Sequence, residues 1–506
     1  MDETERQPPA TYNAHEPGDT PGSANDETPT VPNIASSSTI SIDSRTSTLK
    51  YDQEPFDQYQ TRVNKLCLLL WPSAPQIGPR RHTVSGGGAK ARILDAVKVK
   101  KWRRLHSYTS ENVYTIERLN GGTYNRIVGI SVDNVGTKEQ RRVILRVPRA
   151  NMAEFSYIER EVAIMRFIRQ KTALPVAEIV SFDPTNNNPL DSGYVIQSRL
   201  PGVPLHTVWD VLTHGQRCNI AKDVGKIMLA LQEVKHSFPG LVESCPEGVE
   251  DQKVVVRPFD IVSPHDIDWK RKISKTVSDE EVDTTTDGTL QWFGTQFGRW
   301  LAHELLADPS AILYWDYQIR FVEVAKQMNA LGFLGDGQNC LSHFDLAARN
   351  ILVQIIPDGS LAISGIVDWD SAVFAPTFVS CTPPSWLWTN IGLYDAEESE
   401  ANDTPTTPEQ EEIKEIFDEV VGFDWTWLAY QPGSRLARDL FHFAQRGLPD
   451  GVASTKADRF LKEWAALYDI LLHPKEEDEN GEQEADVDMD EADSAVRYAG
   501  LDAEVH

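Results

Sequence analysis

The chain has 506 residues and a formal net charge of −27, with 76 Asp and Glu against 49 Lys and Arg. An acid excess of this size disfavours nucleic acid as the main partner, and no apolar run is long enough to span a membrane. Five cysteines, Cys67, Cys218, Cys245, Cys340 and Cys381, are odd in number, widely spaced and in no metal pattern, so neither a disulfide framework nor a zinc site is expected.

Residues 1–54 are rich in Thr, Ser, Pro, Asn and acid but poor in large apolar side chains. Such a composition cannot offset the entropy of ordering, and a disordered extension is expected. Residues 55–112 read as a linking region. Within it, Phe56 to Trp71 carries Val63, Leu66, Leu68, Leu69 and Leu70 on a helix expected to dock on the next unit. Arg80 to Arg104 holds nine Lys or Arg against Asp95, densest at Lys98 to Arg104, a pattern compatible with nuclear localisation. No signal peptide is read at Met1 to Pro9, so a cytoplasmic protein is expected, with the nucleus as the option that basic segment leaves open. Gly86-Gly87-Gly88-Ala89-Lys90-Ala91 lacks P-loop spacing and reads as linker.

Residues 113–200 alternate in strand fashion. Val113 to Leu119 and Arg126 to Val132 flank Asn120-Gly121-Gly122-Thr123-Tyr124-Asn125, a hairpin with a glycine-bearing tip. Val143 to Arg149 is a third strand, on which Arg146 and Arg149, three apart, should face opposite ways, Arg149 towards solvent. Glu154 to Gln170 has helical apolar spacing, and Glu159 and Glu161, two apart, cannot share a helix face. Pro175 to Phe182 and Tyr194 to Leu200 complete five strands.

Residues 201–474 read as mainly helical, with helices over Gln216 to Lys235, Thr295 to Ala307, Tyr314 to Leu331 and Ala457 to Leu472. Phe238 to Leu290 is polar and turn-rich, an insertion with a mobile part. The Trp-rich stretches Pro383 to Trp388 and Phe423 to Trp427 are read chiefly as core, with an acceptor pocket as the alternative. Residues 475–506 form an acidic tail expected to be disordered, in which Glu476 to His506 holds thirteen acidic residues against Arg497.

The most informative stretch is His343-Phe344-Asp345-Leu346-Ala347-Ala348-Arg349-Asn350. Its H-x-D-x-x-x-x-N spacing suits a phosphotransferase loop, in which a carboxylate accepts a proton from an attacking hydroxyl and an amide five residues on reaches a metal held by nucleotide phosphates. A hairpin, Ile351 to Gln354 and Leu361 to Val367 around Pro357-Asp358-Gly359, returns a second carboxylate, Asp368 of Asp368-Trp369-Asp370, 18 residues after Asn350.

On these residues the chain resembles the protein-kinase-like phosphotransferases, and within them the fungal branch of the aminoglycoside phosphotransferase family, over about residues 113 to 470. The resemblance implies an α+β, two-lobed fold: a small antiparallel-sheet lobe with one helix and a larger, mainly helical lobe. It also implies ATP and Mg²⁺ as cofactors and a small-molecule hydroxyl as acceptor; the oligomeric state stays unassigned. Asp345 would be catalytic, and Asn350 and Asp368 would hold the metal. Arg146, where most kinases place a lysine, would grip phosphates with Glu161 as its partner. Gly121, Gly122 and Asn125 would cover the nucleotide, while Gln197 and Arg199 lie in the hinge that meets adenine. His343 is read as a brace that needs no titration. Asp-Leu-Ala-Ala-Arg-Asn is also how tyrosine kinases write this loop, but Asp-Phe-Gly, Ala-Pro-Glu and G-x-G-x-x-G are absent. A protein kinase and a catalytically silent scaffold, the latter prompted by Arg146, remain the alternatives.

Overall fold

A computed structural model of the chain describes residues 54–72, 112–119, 124–134, 140–149, 158–244, 254–259, 261, 288–307, 312–356, 360–389, 398–402, 404–449 and 451–473. The expected disordered ends, the basic segment, the acidic tail and the hairpin tip with Gly121 and Gly122 lie outside the described residues.

Helix α1 (Phe56–Leu70) precedes strands β1 (Asn112–Arg118), β2 (Asn125–Asn134) and β3 (Gln140–Pro148), helix α2 (Ile158–Lys171), and strands β4 (Ile179–Asp183) and β5 (Tyr194–Ser198). The strands form one sheet in the order β1-β2-β3-β5-β4, every neighbour antiparallel. Period-two alternation on β3 decides the rest of the lobe. Val143, Leu145 and Val147 pack with Val128, Ile130 and Ile196 under Tyr59, Val63 and Leu66 of α1. Full burial of Val63 or Leu66 contributes about 1.5–3 kcal/mol each, which explains why α1 docks as its apolar spacing implies. The other face turns Val195 towards Ile158 and Val162 of α2, and on β3 that face presents Arg146.

Arg149 is not solvent-facing as strand alternation implied: it is 5% exposed. The strand ends at Pro148, so alternation no longer governs Arg149, whose N–H donates to the Tyr124 carbonyl at 2.9 Å.

The chain enters the larger lobe through Pro201 and Gly202. A two-residue strand, β6 (Val203–Pro204), then pairs with the strand that follows the H-x-D loop. Next come α3 (His214–Gln232), β7 (Lys235–His236), β8 (Leu241–Ser244) and β9 (Val254–Arg257). The insertion expected over Phe238 to Leu290 is thus partly regular. β8 and β9 pair antiparallel and lean on α2, where Arg160 meets Glu243 at 2.8 Å. The Val-rich run Val254-Val255-Val256 carries this hairpin despite polar flanks.

Helices α4 (Thr289–Ala307) and α5 (Ile312–Ala330) follow, α4 starting six residues before its expected start at Thr295. β10 (Asn339–Ser342), β11 (Ile351–Ile355), β12 (Leu361–Ile366) and β13 (Val373–Pro376) then frame the candidate site. After them come α6 (Thr377–Ser380), α7 (Pro408–Val421), α8 (Phe423–Tyr430), α9 (Pro432–Arg446) and α10 (Gly451–Leu472). Phe293 and Phe297 of α4, Phe321 of α5, Phe441 of α9 and Trp464 of α10 build the main helical core. Among the described residues no helix is long and apolar enough to cross a membrane.

Gly202 sits at the crossing between lobes with φ 99°, and a β-carbon there would lie 2.4 Å from the Val353 carbonyl oxygen. Both the backbone conformation and the lack of space require glycine. Gly202→Ala should therefore cost about 2 kcal/mol or more, read as a lower midpoint in urea unfolding. An unchanged midpoint would show that the crossing relaxes freely.

Candidate active site

The H-x-D loop leaves β10 and ends in a single 3₁₀ turn at Ala348–Asn350 before β11. His343 is 3% exposed and braces the loop from beneath. Its Nδ1 accepts the Asp345 N–H at 3.2 Å, and its Nε2 donates to the Val367 carbonyl at 3.1 Å. The ring lies 4.4 Å from that of Trp369. Burial pushes the imidazole down to about 4, so the ring is neutral at pH 7, as a brace requires. Phe344 takes φ 62°, a left-handed conformation rare for a bulky residue. Contacts with Phe441 and His442 hold its ring.

Asp345 is fixed at both oxygens. Arg349 ion-pairs with Oδ1, and Asn350 Nδ2 donates at 2.8 Å to Oδ2 and also to the Asp345 main-chain carbonyl. Burial raises the Asp345 carboxyl above its ordinary range, while Arg349 and the Asn350 amide oppose the rise. The Asn350 carbonyl in turn accepts the Val367 N–H at 2.9 Å, which seats the end of β12 against the loop. Asp368 follows with φ 65°, ψ 58°, a left-handed conformation that Asp tolerates better than most residues.

Arg146 joins these parts. Its Nη1 is 3.0 Å from Glu161 Oε1, and its Nη2 is 3.1 Å from Asp368 Oδ1 and 3.0 Å from Asp370 Oδ2. The guanidinium is nearly buried, whereas Asp368 and Asp370 remain 47% and 43% exposed at their side chains. Burial alone would lower the Arg146 pKa, but Glu161, Asp370 and Asp368 together hold it above the ordinary arginine value. Burial pushes Glu161 up to about 7, against the pull of Arg146 and with the repulsion of Asp370 and Asp368. Asp370 is raised by burial too. Four carboxylates, Glu161, Asp345, Asp368 and Asp370, thus face two guanidinium groups, Arg146 and Arg349. An oxygen-rich set with surplus negative charge is the donor chemistry that suits Mg²⁺.

The structure pairs Arg146 with Glu161 and Asp368, and Asp345 with Asn350, as the resemblance implied, and Glu159 is exposed. Asn125 opens β2 opposite Pro148. Gln197, 6% exposed, lies on the Arg146 face of the sheet, and its buried Oε1 has no hydrogen-bond partner among the described residues. Arg199 ion-pairs instead with Glu117 of β1. Sequence reasoning left Asp370 undecided and gave Arg349 no role. The signal for Asp370 was its place two residues after Asp368, and for Arg349 its i+4 relation to Asp345.

Beside Asp345 lies a cavity of about 270 Å³, bordered by Phe344, Asp345, Arg349, Trp386, Glu398 and His442. Trp386 donates from Nε1 to the Leu346 carbonyl at 3.2 Å. Of the Trp-rich stretches, Trp386 borders this space, Trp388 and Trp425 are core, and Phe423 is 73% exposed. Glu398 is held by Arg438, 1% exposed, at 2.5 Å.

The sequence model of the phosphotransferase enzyme family, APH, matches residues 115–379. That is more than half of the chain, and the chain belongs to this family. Among curated proteins, the subtelomeric hrmA-associated cluster protein of Aspergillus fumigatus is 25% identical over 364 residues, in strain Af293 and again in strain CEA10; each match spans 60% of this chain and 67% of the relative. Among solved structures, the gentamicin complex of APH(2'')-IIa is 12% identical, covering 75% of this chain and 97% of that one with a TM-score of 0.35. Aminoglycoside phosphotransferase APH(4)-Ia is 17% identical, with 74% and 98% covered and a TM-score of 0.35. ADP-bound APH(2'')-Ib is 12% identical, with 74% and 99% covered and a TM-score of 0.37.

Removing Arg146 leaves the nearly buried Glu161, and the half-exposed Asp368 and Asp370, without their cation. Arg146→Met should cost about 3–5 kcal/mol in urea unfolding, and Arg146→Lys should recover only part, since an ammonium lacks the planar fork. A loss below about 1 kcal/mol for Arg146→Met would show that the cluster is not structurally coupled. For His343, the folded value lies below that of the unfolded chain, so unfolding takes up a proton as pH falls. Its contribution is full above pH about 6.5 and is lost as pH falls through about 4, on the order of 3 kcal/mol. NMR of the His343 ring should show the neutral Nε2–H form at pH 5.5, and a midpoint near 6.5 would reject the brace.

Proposed function

We propose that this chain transfers the γ-phosphoryl group of ATP to a hydroxyl of a small molecule held in the cavity beside Asp345. The observation that carries this reading is the convergence of Asp345, Asn350 and Asp368 on one cleft with the Arg146–Glu161 pair behind it. Asp345 accepts the acceptor's hydroxyl proton, and the freed oxygen bonds to the γ-phosphorus as the bond to the β,γ-bridging oxygen breaks, releasing ADP. Arg349 and Asn350 keep the Asp345 carboxylate turned and ionised for that task. Asp368 and the Asn350 side-chain oxygen would hold Mg²⁺, with Asp370 at hand; when bound, the ion neutralises phosphate charge. Glu161 fixes Arg146 from behind so that the guanidinium faces the phosphates. The orphaned Gln197 Oε1 supports a polar ligand group on the same face of the sheet.

A second reading, a nucleotide-binding protein without turnover, draws on Arg146 already occupying Asp368 and Asp370. The protein-kinase reading fits less well, because Asp368 is followed by a 3₁₀ turn and the fully buried strand β13 rather than an open segment for a peptide.

Thermal stabilisation by ATP, with and without Mg²⁺, and phosphoryl gain across a metabolite library read by mass distinguish these readings. Asp368→Asn should abolish the Mg²⁺-dependent part of the stabilisation. Asp345→Asn should keep nucleotide binding while lowering turnover by about 10³-fold or more. Phosphorylation of generic peptides but of no metabolite would return the protein-kinase reading; ATP binding without any product would leave the silent one.

A further inference from the structure

Away from the catalytic cleft, three side chains with three kinds of donor atom meet where α3 lies against α7. His214 and Cys218 are four residues apart at the start of α3 and so share a helix face. Glu412 reaches them from α7. His214 Nε2 stands 3.5 Å from Cys218 Sγ and 2.8 Å from Glu412 Oε2, and the three donor atoms all lie within 4.8 Å of one another.

These separations can be set against a metal. A tetrahedral zinc ion with Zn–N and Zn–O of about 2.0–2.1 Å and Zn–S of about 2.3 Å requires N···S and O···S separations of about 3.5 Å and N···O of about 3.3 Å. The N···S spacing already has that value, the N···O spacing needs to open by about 0.5 Å, and the O···S spacing, which lies within 4.8 Å, is set by the same movement of Glu412. Glu412 is the most exposed of the three, at 58% of its side chain, and can make that adjustment, while Cys218 is 7% exposed and held by the helix. The charge around the thiol is acidic on balance: Glu412 and Glu409 act on it, with Lys222 opposing. A His–Glu ion pair alone would not use the sulfur, whose hydrogen-bonding capacity is weak.

We propose that His214, Cys218 and Glu412 form a zinc site, separate from the catalytic cleft, that fastens α3 to α7, with water completing the coordination. A mixed nitrogen, sulfur and oxygen set selects zinc over Mg²⁺, which demands oxygen ligands. The two helices enclose a core in which Cys218, Val224, Phe417, Trp388 and Trp425 pack with Ala348 and Ile351 of the catalytic loop and hairpin. An ion here stiffens the floor of the catalytic loop without touching reactants.

The test uses the full-length chain, stripped of metal by a chelator and titrated with Co²⁺ and then Zn²⁺. One equivalent of Co²⁺ should produce a thiolate-to-cobalt absorption band that Zn²⁺ displaces and Mg²⁺ does not, and Zn²⁺ should raise the unfolding temperature. Cys218→Ser should lose the band, and His214→Gln and Glu412→Gln should each weaken Zn²⁺ binding at least 10-fold. Asp368→Asn should keep the band, which separates this site from the catalytic one. Absence of the band in the unaltered chain overturns the proposal whether or not the variants fold. So does a band that survives Cys218→Ser, which would assign it to another cysteine, or a zinc stabilisation indifferent to all three substitutions.

Discussion

One guanidinium carries three carboxylates that arrive from different parts of the chain, and the cleft depends on it. Arg146 comes from the sheet, Glu161 from the helix behind it, and Asp368 and Asp370 from the turn after the catalytic hairpin. Each contact of about 3 Å has a gross attraction of roughly 5 kcal/mol at an effective dielectric constant near 20. Burying the charges costs several kcal/mol per ion, so little net stability remains. What the cluster secures is position: the fork of Arg146 ties β3 and α2 to the turn that carries Asp368 and Asp370. The surplus of carboxylate over cation leaves a place whose charge a divalent ion would complete.

Beneath this cluster the H-x-D loop is held by a neutral imidazole and by main-chain groups. The neutral His343 ring ties the Asp345 amide to the Val367 carbonyl, and the Val367 amide bonds to Asn350, so that loop and hairpin form one cross-linked unit. Such rigidity leaves the Asp345 and Asn350 side chains little freedom to move. The strain at Phe344 and Asp368 is accepted because this unit over-determines both residues.

The cavity beside Asp345 is built differently. Trp386 and Glu398 come from connecting segments with separate anchors: Trp386 donates to the Leu346 carbonyl, while Glu398 pairs with the deeply buried Arg438 of α9, which also donates to the carbonyls of Phe378, Leu428 and Ala429. Asp345, Asn350 and Asp368 thus sit around a regular hairpin, while the cavity beside them is bordered by connecting segments. Loops of this kind are where members of one fold diverge in what they bind.

Local periodicity made much of the molecule legible. Alternation on β3 placed Val143, Leu145 and Val147 on one face and Arg146 on the other, and the apolar spacing of residues 56–71 located a helix that docks there. The H-x-D-x-x-x-x-N spacing located Asp345 and Asn350, because a loop of fixed length between two strands leaves those side chains few places to go. Where regular structure stops, this logic stops too, and Arg149, one residue past the end of its strand, is buried for that reason. Convergence over long separations was not readable. Arg146 meets Asp370 across 224 residues and His214 meets Glu412 across 198. The sequence by itself determined which residues stand at motif spacing and which local element carries each one, since those follow from short-range sterics and side-chain periodicity. Only the tertiary structure decided that one arginine serves three acids, that Trp386 rather than Trp388 borders the cavity, and that a histidine, a cysteine and a glutamate share a corner, because these depend on packing between elements whose separation along the chain leaves no trace in spacing.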